Sequence, residues 1–260
     1  MTNHYKRFKH WFQEEYLEKV PENSAVVVAM FRDPYTWVEA MRVEPHHAHN
    51  HLIMPKTEYD PNQGWYEQGG RPLGWKDFVT KPWIGKTMRG PADINITEIP
   101  GGKERALCIN DYSFVEQSPC SEDDTSTLKG LGDNFYELHH DGSERAYSSV
   151  INLRRDKIIN HLSVADFLGT RAFIPFRYED MNANGTSALL RSLEDATGLK
   201  ANCSAIVGGS YATVTEGRRR LEKKPITKHR ELPVEFIKWM NEFVDWEIES
   251  RIGYVKRELQ

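Results

Sequence analysis

The stretch that decides the fold is VVVAMFRDPYTWVEAM, residues 26–41. It continues a valine-rich apolar run, residues 25–31, of the kind that forms a strand covered on both faces. Pro34 suits the first turn of the helix that the following residues predict, and Asp33 is placed to cap that helix. A single arginine, Arg32, stands between the two elements. The stretch therefore predicts a strand–helix junction with a basic side chain at its turn.

Outside this junction the same alternation of strand and helix continues. Strands are predicted at residues 171–178 and 203–207, and helices at residues 143–168, 186–197 and 233–252. This order predicts an α/β fold, with a mainly parallel sheet flanked by helices in a single domain over residues 1–260. Residues 46–143 are rich in Gly, Pro and aromatic side chains, which predicts an irregular region able to shape a binding surface for an acceptor.

The composition excludes several classes of protein. With 260 residues, 39% hydrophobic and 28% charged, the chain has the balance of a globular domain. A net charge of -4 argues against a general nucleic-acid binder, which is usually basic. No apolar run approaches the roughly 20 residues that a membrane helix needs. The three cysteines lack the number and spacing of a disulfide framework or a metal site.

Arg32 has two interpretations from its position alone. In parallel α/β sheets, ligands gather at the carboxyl ends of strands, and a guanidinium there gives bidentate contacts to phosphate oxygens. The other interpretation is a surface arginine that pairs with Asp33 or Glu39.

The segments around Arg32 resemble the sulfotransferase family. FRDPYTW (31–37), followed by Ala40 and Met41, is similar to the family's R-[DN]-P-x-x-W-x-x-S-M element, which binds the 3′-phosphate of 3′-phosphoadenosine 5′-phosphosulfate (PAPS). Three further segments resemble family elements in the same order: LRRDKI (153–158), RYEDM (177–181) with the leucines and Gly-Leu that follow it, and the basic GRRR (217–220) with KKP (223–225). The resemblance implies a P-loop NTPase-like sulfotransferase fold that is N-terminally incomplete.

The resemblance also implies roles for individual residues. His10 would be the catalytic base, because it precedes the strand at a family-like interval, and Lys9 would stabilise charge beside it. The nucleotide-binding residues implied are Arg32 for the 3′-phosphate, Tyr178 for the adenine, and Arg218, Arg219 and Arg220 for the phosphates. The co-substrate would be PAPS, with no metal expected. The acceptor would be a hydroxyl or amine on a small molecule or carbohydrate, in the cytoplasm or the Golgi lumen.

Two departures from the family pattern open an alternative. Ala40 stands where the family usually places a serine that helps to hold the 3′-phosphate. The Gly/Ser/Thr-rich phosphosulfate loop that normally precedes the catalytic histidine is not found before His10. Either Met1 is an internal start, or the chain is a diverged, non-catalytic protein that binds a nucleotide or another partner.

A histidine cluster offers a rival site. Four histidines, His46, His47, His49 and His51, fall within one short stretch. Imidazoles bind Zn²⁺ and Ni²⁺, but neighbouring histidines on one loop rarely close a tetrahedral site. The alternatives are a metal site, an exposed loop without metal, and a loop that faces the acceptor.

Overall fold

The structure is a computed structural model, and it describes residues 11–12, 17, 20–43, 51–53, 69–86, 117–119, 134–206, 210–215, 218–223 and 231–259. Within these ranges no helix combines the length and apolar character needed to cross a membrane. The chain divides into two compact units. The first unit comprises Met1–Phe12 and Trp37–Asn160, and the second comprises Gln13–Thr36 and His161–Gln260. The assignment of one domain to residues 1–260 stays a prediction.

The second unit contains a small parallel sheet. Strand β1 (Ala25–Phe31) pairs in parallel with β7 (Thr170–Arg177), from Ala25 opposite Thr170 to Phe31 opposite Arg177. Helix α5 (Ser187–Thr197) packs against both strands. It ends at Gly198, whose φ of 72° is the left-handed conformation that glycine adopts without strain.

Helices connect and flank this sheet. Helix α1 (Pro34–Val43) follows β1, and α4 (Tyr178–Asn184) follows β7. A 3-10 turn, Val164–Asp166, precedes β7. Near the end of the chain lie α6 (Val234–Phe243) and α7 (Trp246–Arg251), with Phe236 and Met240 buried on α6. A separate antiparallel hairpin is formed by β8 (Ser210–Thr215) and β9 (Arg218–Lys223).

The first unit is built on antiparallel pairs. These are β2 (Leu52–Ile53) with β3 (Arg71–Pro72), and the three-stranded order β4 (Ile84–Lys86), β6 (Asn134–Glu137), β5 (Gln117–Pro119). Helix α2 (Trp75–Thr80) buries Phe78 and Val79, and α3 (Val150–Ser163) buries apolar side chains along its first half. Helices α1 and α3 have residues in both units.

The parallel arrangement is confirmed only for β1 and β7, because the other strand pairs described are antiparallel. Strand β1 and the start of α1 at Pro34 lie where the sequence predicts them. The prediction that both faces of β1 are covered is wrong, since Val28 is 41% and Met30 55% exposed.

Three other boundaries differ from the prediction. Residues 143–149 are bends and irregular chain with one β-bridge at Ala146 rather than the start of α3, and residues 203–206 form no strand. The predicted helix over residues 233–252 is two helices. It breaks because Val244 is extended and the Asp245 carboxylate accepts the N–H of Ile248, which begins a new helix.

Candidate functional site

Two residues predicted to contact a nucleotide meet at one edge of the parallel pair. Phe31 lies opposite Arg177 in the register, so both strands end at the same level. The next residues are Arg32 and Tyr178. The guanidinium carbon of Arg32 lies 5.2 Å from the centre of the Tyr178 ring, within the range of a cation–π contact.

The first turn of α1 is capped beside this contact. The Oδ1 atom of Asp33 accepts the backbone N–H of Thr36 at 2.9 Å, which is the predicted cap. The backbone N–H of Asp33 donates to Oε1 of Glu179 at 3.0 Å. The Nε atom of Arg32 donates to the Thr36 hydroxyl at 3.4 Å. The bond from Asp33 to Glu179 ties the turn after β1 to the first turn of α4.

The carboxylates proposed as partners for Arg32 each bind another arginine. The Nη2 atom of Arg257 lies 3.0 Å from Oδ1 of Asp33. Glu39, in the first unit, makes a bidentate contact with Arg42 at 2.6 and 2.8 Å. A bidentate guanidinium–carboxylate pair is among the stronger polar contacts in proteins.

The C-terminal segment, residues 253–257, contacts the junction between β1 and α1. The hydroxyl of Tyr254 lies 2.7 Å from Oε2 of Glu179 and 2.9 Å from the carbonyl oxygen of Phe31, so it can donate to either. Tyr254 itself is buried. The end of β1 is therefore held by a residue more than 200 positions later in the chain.

Tyr35 links this segment to α6. Its hydroxyl donates to Oδ1 of Asn241 and accepts the backbone N–H of Arg257 at 2.9 Å. The Nδ2 atom of Asn241 donates to the carbonyl oxygen of Arg257 at 2.9 Å. Burial raises the pKa of Tyr35, and the Arg257 backbone bond and charge oppose that shift. The tyrosine is therefore a neutral hydrogen-bonding group at physiological pH.

Arg177 links the first turn of α4 to the C-terminal segment. Its Nε and Nη2 atoms donate to the two carboxylate oxygens of Asp180 at 2.7 and 2.9 Å, and Nη1 donates to the carbonyl oxygen of Gly253 at 2.9 Å. The hydrogen bond to Asp180 raises the pKa of Arg177. The contacts of Arg177 with Asp180 and Gly253 therefore give it a structural role.

The predicted catalytic residues Lys9 and His10 lie outside the described residues. The chain directly after them is fixed by Asn160 of α3, whose Oδ1 atom accepts the N–H of Phe12 at 2.7 Å and whose Nδ2 donates to the carbonyl oxygen of Phe12 at 2.9 Å. Phe12 is buried outside any helix or strand, so its backbone polar groups need such a partner.

Trp11 is held in the same unit by a buried carboxylate. Its indole N–H donates to Oε1 of Glu137 at 2.8 Å, and Glu137 is 1% exposed. The Nζ atom of Lys157 lies 3.2 Å from the same oxygen, which gives the buried charge a counterion. The ring centres of Trp11 and His140 lie 3.9 Å apart, with the ring planes tilted by 33°.

A second polar cluster surrounds Asp156 on α3. Its Oδ2 atom lies 3.1 Å from Nδ1 of His139 and accepts the Tyr147 hydroxyl at 3.1 Å. Burial, followed by the Asp156 charge, raises the pKa of Tyr147 well above its ordinary value. Tyr147 is fully buried, and its hydroxyl donates a hydrogen bond to the Asp156 carboxylate. The cluster therefore joins α3 to the turn after β6.

The three arginines predicted to bind the nucleotide phosphates belong to a hairpin. Arg218, Arg219 and Arg220 belong to β9, in register with Thr215, Val214 and Thr213 of β8. The β-branched residues of β8 favour this strand pairing, and the phosphate-binding role of the arginines stays a prediction. Their side chains are outside the described part of the structure.

Of the four clustered histidines, His51 alone falls within the described residues. It is fully buried, and its ring lies 4.6 Å from Trp83 and 5.4 Å from Phe78. The N–H of Ile84 donates to its Nε2 atom at 3.3 Å. Burial lowers the pKa of His51 to about 3, so the ring is neutral. His46, His47 and His49 are not described, and the described residues contain no metal-binding cluster of three or more His, Cys, Asp or Glu.

The predicted acceptor region is only partly described. Trp83 is buried and packs inside the first unit, so it offers no surface to an acceptor. His140 and Asp141 are exposed on the turn after β6, and Trp75 is half-buried. This region stays a prediction.

Sequence reasoning missed the contribution of the chain's end to the junction. Tyr254 and Arg257 follow the last helix, and the only local signal there is the basic pair Lys256–Arg257. Their partners Phe31 and Asp33 are far away in the sequence, so no local pattern identifies them. No protein-family model matches the chain, and neither curated proteins nor solved structures give a match.

Proposed function

We propose that the chain binds PAPS and transfers its sulfuryl group to a hydroxyl or amine acceptor on a small molecule or carbohydrate. The observation that carries the proposal is the contact of Arg32 with Tyr178 at the carboxyl edge of β1 and β7. A P-loop NTPase-like sulfotransferase fold is part of the same proposal, on the sequence resemblance.

The two side chains suit the two ends of an adenosine 3′-phosphate. A guanidinium forms paired hydrogen bonds with phosphate oxygens. An aromatic ring next to it gives a purine a flat apolar surface. Carboxyl edges of parallel strands are where open α/β sheets bind ligands. With alanine at position 40 instead of serine, the phosphate would depend more on arginine side chains.

The reaction needs a proton acceptor and a stabilised leaving group. In an in-line transfer, the acceptor oxygen or nitrogen forms a bond to sulfur while the bond from sulfur to the 5′-phosphate oxygen breaks, by analogy with phosphoryl transfer. The acceptor's proton passes to a base, and 3′-phosphoadenosine 5′-phosphate leaves. By the family resemblance, His10 is that base, Lys9 stabilises charge at sulfur, and the arginines at 218–220 neutralise the phosphates.

Nucleotide binding is tested by calorimetric titration with 3′-phosphoadenosine 5′-phosphate. Arg32→Ala should weaken binding by about 1.5–3 kcal/mol, the order expected for a charge-assisted hydrogen bond. Arg171→Ala is the matched control, because it removes an exposed arginine from the opposite end of β7. Equal affinities of wild type and Arg32→Ala would remove Arg32 from the site.

Catalysis is tested separately by transfer from labelled PAPS to a panel of hydroxyl and amine acceptors. His10→Ala should abolish transfer and leave nucleotide affinity within about twofold, since a base acts on the acceptor proton rather than on the nucleotide. Normal turnover by His10→Ala would show that another base is used. Nucleotide binding without any transfer would support the non-catalytic alternative.

A further inference from the structure

A carboxylate stands next to the arginine proposed to bind the 3′-phosphate. Asp33 follows Arg32 directly, and its Oδ1 atom caps α1 through the N–H of Thr36. Its side chain is 17% exposed. Both side chains contact Thr36, Asp33 through its backbone N–H and Arg32 through its hydroxyl at 3.4 Å. The carboxylate therefore lies near the guanidinium, offsets its charge and repels a phosphate.

Arg257 supplies the missing positive charge. Its Nη2 atom lies 3.0 Å from the Asp33 carboxylate, so the cap is neutralised by a residue from the far end of the chain. The carboxylate of Glu179 also belongs to this group of charges, because it accepts the backbone N–H of Asp33 at 3.0 Å. With both arginines present, Arg32 and Arg257 balance the charges of Asp33 and Glu179. Without Arg257 the group carries one net negative charge, which repels a phosphate.

Arg257 is also held in place before any ligand arrives. Its guanidinium lies 4.5 Å from the centre of the Tyr35 ring, and its backbone N–H and carbonyl bond to Tyr35 and Asn241. Its side chain is 37% exposed, which leaves part of it in contact with solvent. A cation fixed in this way loses little conformational freedom when a nucleotide binds.

We propose that Arg257 is a specificity-determining residue of the nucleotide site. It neutralises Asp33 so that the site prefers adenine nucleotides with a 3′-phosphate over those with a 5′-phosphate alone. The inference rests on the proposed function and adds a residue that neither the motif nor the resemblance contains.

The test compares two nucleotides, 3′-phosphoadenosine 5′-phosphate and adenosine 5′-monophosphate, by calorimetric titration. Arg257→Ala and Arg257→Gln should each lower the affinity for the first at least tenfold and change the affinity for the second less than twofold. The matched control is Lys256→Ala, which removes the same charge from an exposed neighbouring residue and should change both affinities less than twofold.

A rescue experiment separates charge neutralisation from loss of fold. Asp33→Asn removes the negative charge but keeps a side-chain oxygen for the cap. Combined with Arg257→Ala, it should restore the affinity for 3′-phosphoadenosine 5′-phosphate to within about threefold of wild type, because the double variant has the same net charge at the junction as wild type. Unchanged affinity of Arg257→Ala, an equal loss for both nucleotides, or no rescue in the double variant would each overturn the inference. A wild type that binds neither nucleotide would instead refute the proposed function.

Discussion

Two arginines at equivalent strand ends have different tasks. Arg177 places three donors on Asp180 and Gly253, whereas Arg32 stacks on Tyr178 beside the cap of α1. The motif identifies Arg32 because its neighbours follow a sequence pattern. The role of Arg177 depends on Gly253, which only the folded chain brings to it.

Because the two arginines have different contacts, replacing Arg177 should mainly affect stability, and replacing Arg32 should mainly affect nucleotide binding. Arg177→Ala should lower the free energy of unfolding by roughly 1–2 kcal/mol, because charge-assisted hydrogen bonds are lost and the side chain is partly exposed. Arg32→Ala should weaken nucleotide binding with a smaller change in stability. Urea unfolding of the two variants beside Arg171→Ala checks this; equal destabilisation by Arg177→Ala and Arg171→Ala would contradict it.

His51 predicts a specific dependence of stability on pH. Its pKa is about 3 in the folded protein and near 6.5 in the unfolded chain, so the unfolded chain binds more protons between these values. The stability that depends on neutral His51 is fully present above pH 6.5 and falls as the pH drops towards 3. The slope it adds is at most about 1.4 kcal/mol per pH unit.

Replacing the imidazole isolates this contribution. His51→Gln cannot take up a proton, so its stability should fall less steeply than that of wild type between pH 6.5 and 4. Urea unfolding at several pH values measures both slopes. Parallel curves for the two proteins would mean that His51 does not titrate on unfolding.

Secondary-structure elements were predictable where local chemistry alone sets them. The apolar run of β1, Pro34 at the start of α1 and Gly198 after α5 each act through neighbouring residues. The hairpin of β8 and β9 was not predicted, because pairing with β8 rather than the local sequence of the arginines determines their conformation. The hydrophobic periodicity of residues 233–252 continues through Asp245, so it predicts a single helix there. The side chain of Asp245 instead caps a second helix.

The helix break at Asp245 gives an element-scale prediction. Asp245→Ala should lower the free energy of unfolding by roughly 0.5–2 kcal/mol, because the N–H of Ile248 loses its acceptor. Asp245→Ser should recover most of the loss, since a serine hydroxyl also caps helices. Thermal unfolding of the three proteins measures the effect. Identical stabilities of the alanine and serine variants would show that the cap is not what stabilises α7.

At the scale of the whole molecule, the sequence could not predict which segments assemble. The strand pattern predicts β1 and β7, but their pairing joins residues on either side of a long intervening segment. The division into two units follows from such long-range pairing. By residue range, Arg32, Tyr178 and the arginines of β9 belong to the second unit, together with Tyr254 and Arg257.

This grouping predicts where a bound nucleotide should protect the chain. Ligand at about 100 times its dissociation constant stabilises the native state by about 2.7 kcal/mol, and local opening is suppressed most where contacts form. With 3′-phosphoadenosine 5′-phosphate, amide hydrogen exchange should slow at residues 31–36, 178–184 and 253–257. Residues 75–86 of the first unit should exchange at an unchanged rate and serve as the internal control. Exchange followed by mass spectrometry measures these segments, and Arg32→Ala should abolish the slowing at the same nucleotide concentration. Equal protection of residues 75–86 and the junction, or none at the junction, would place the nucleotide elsewhere in the protein.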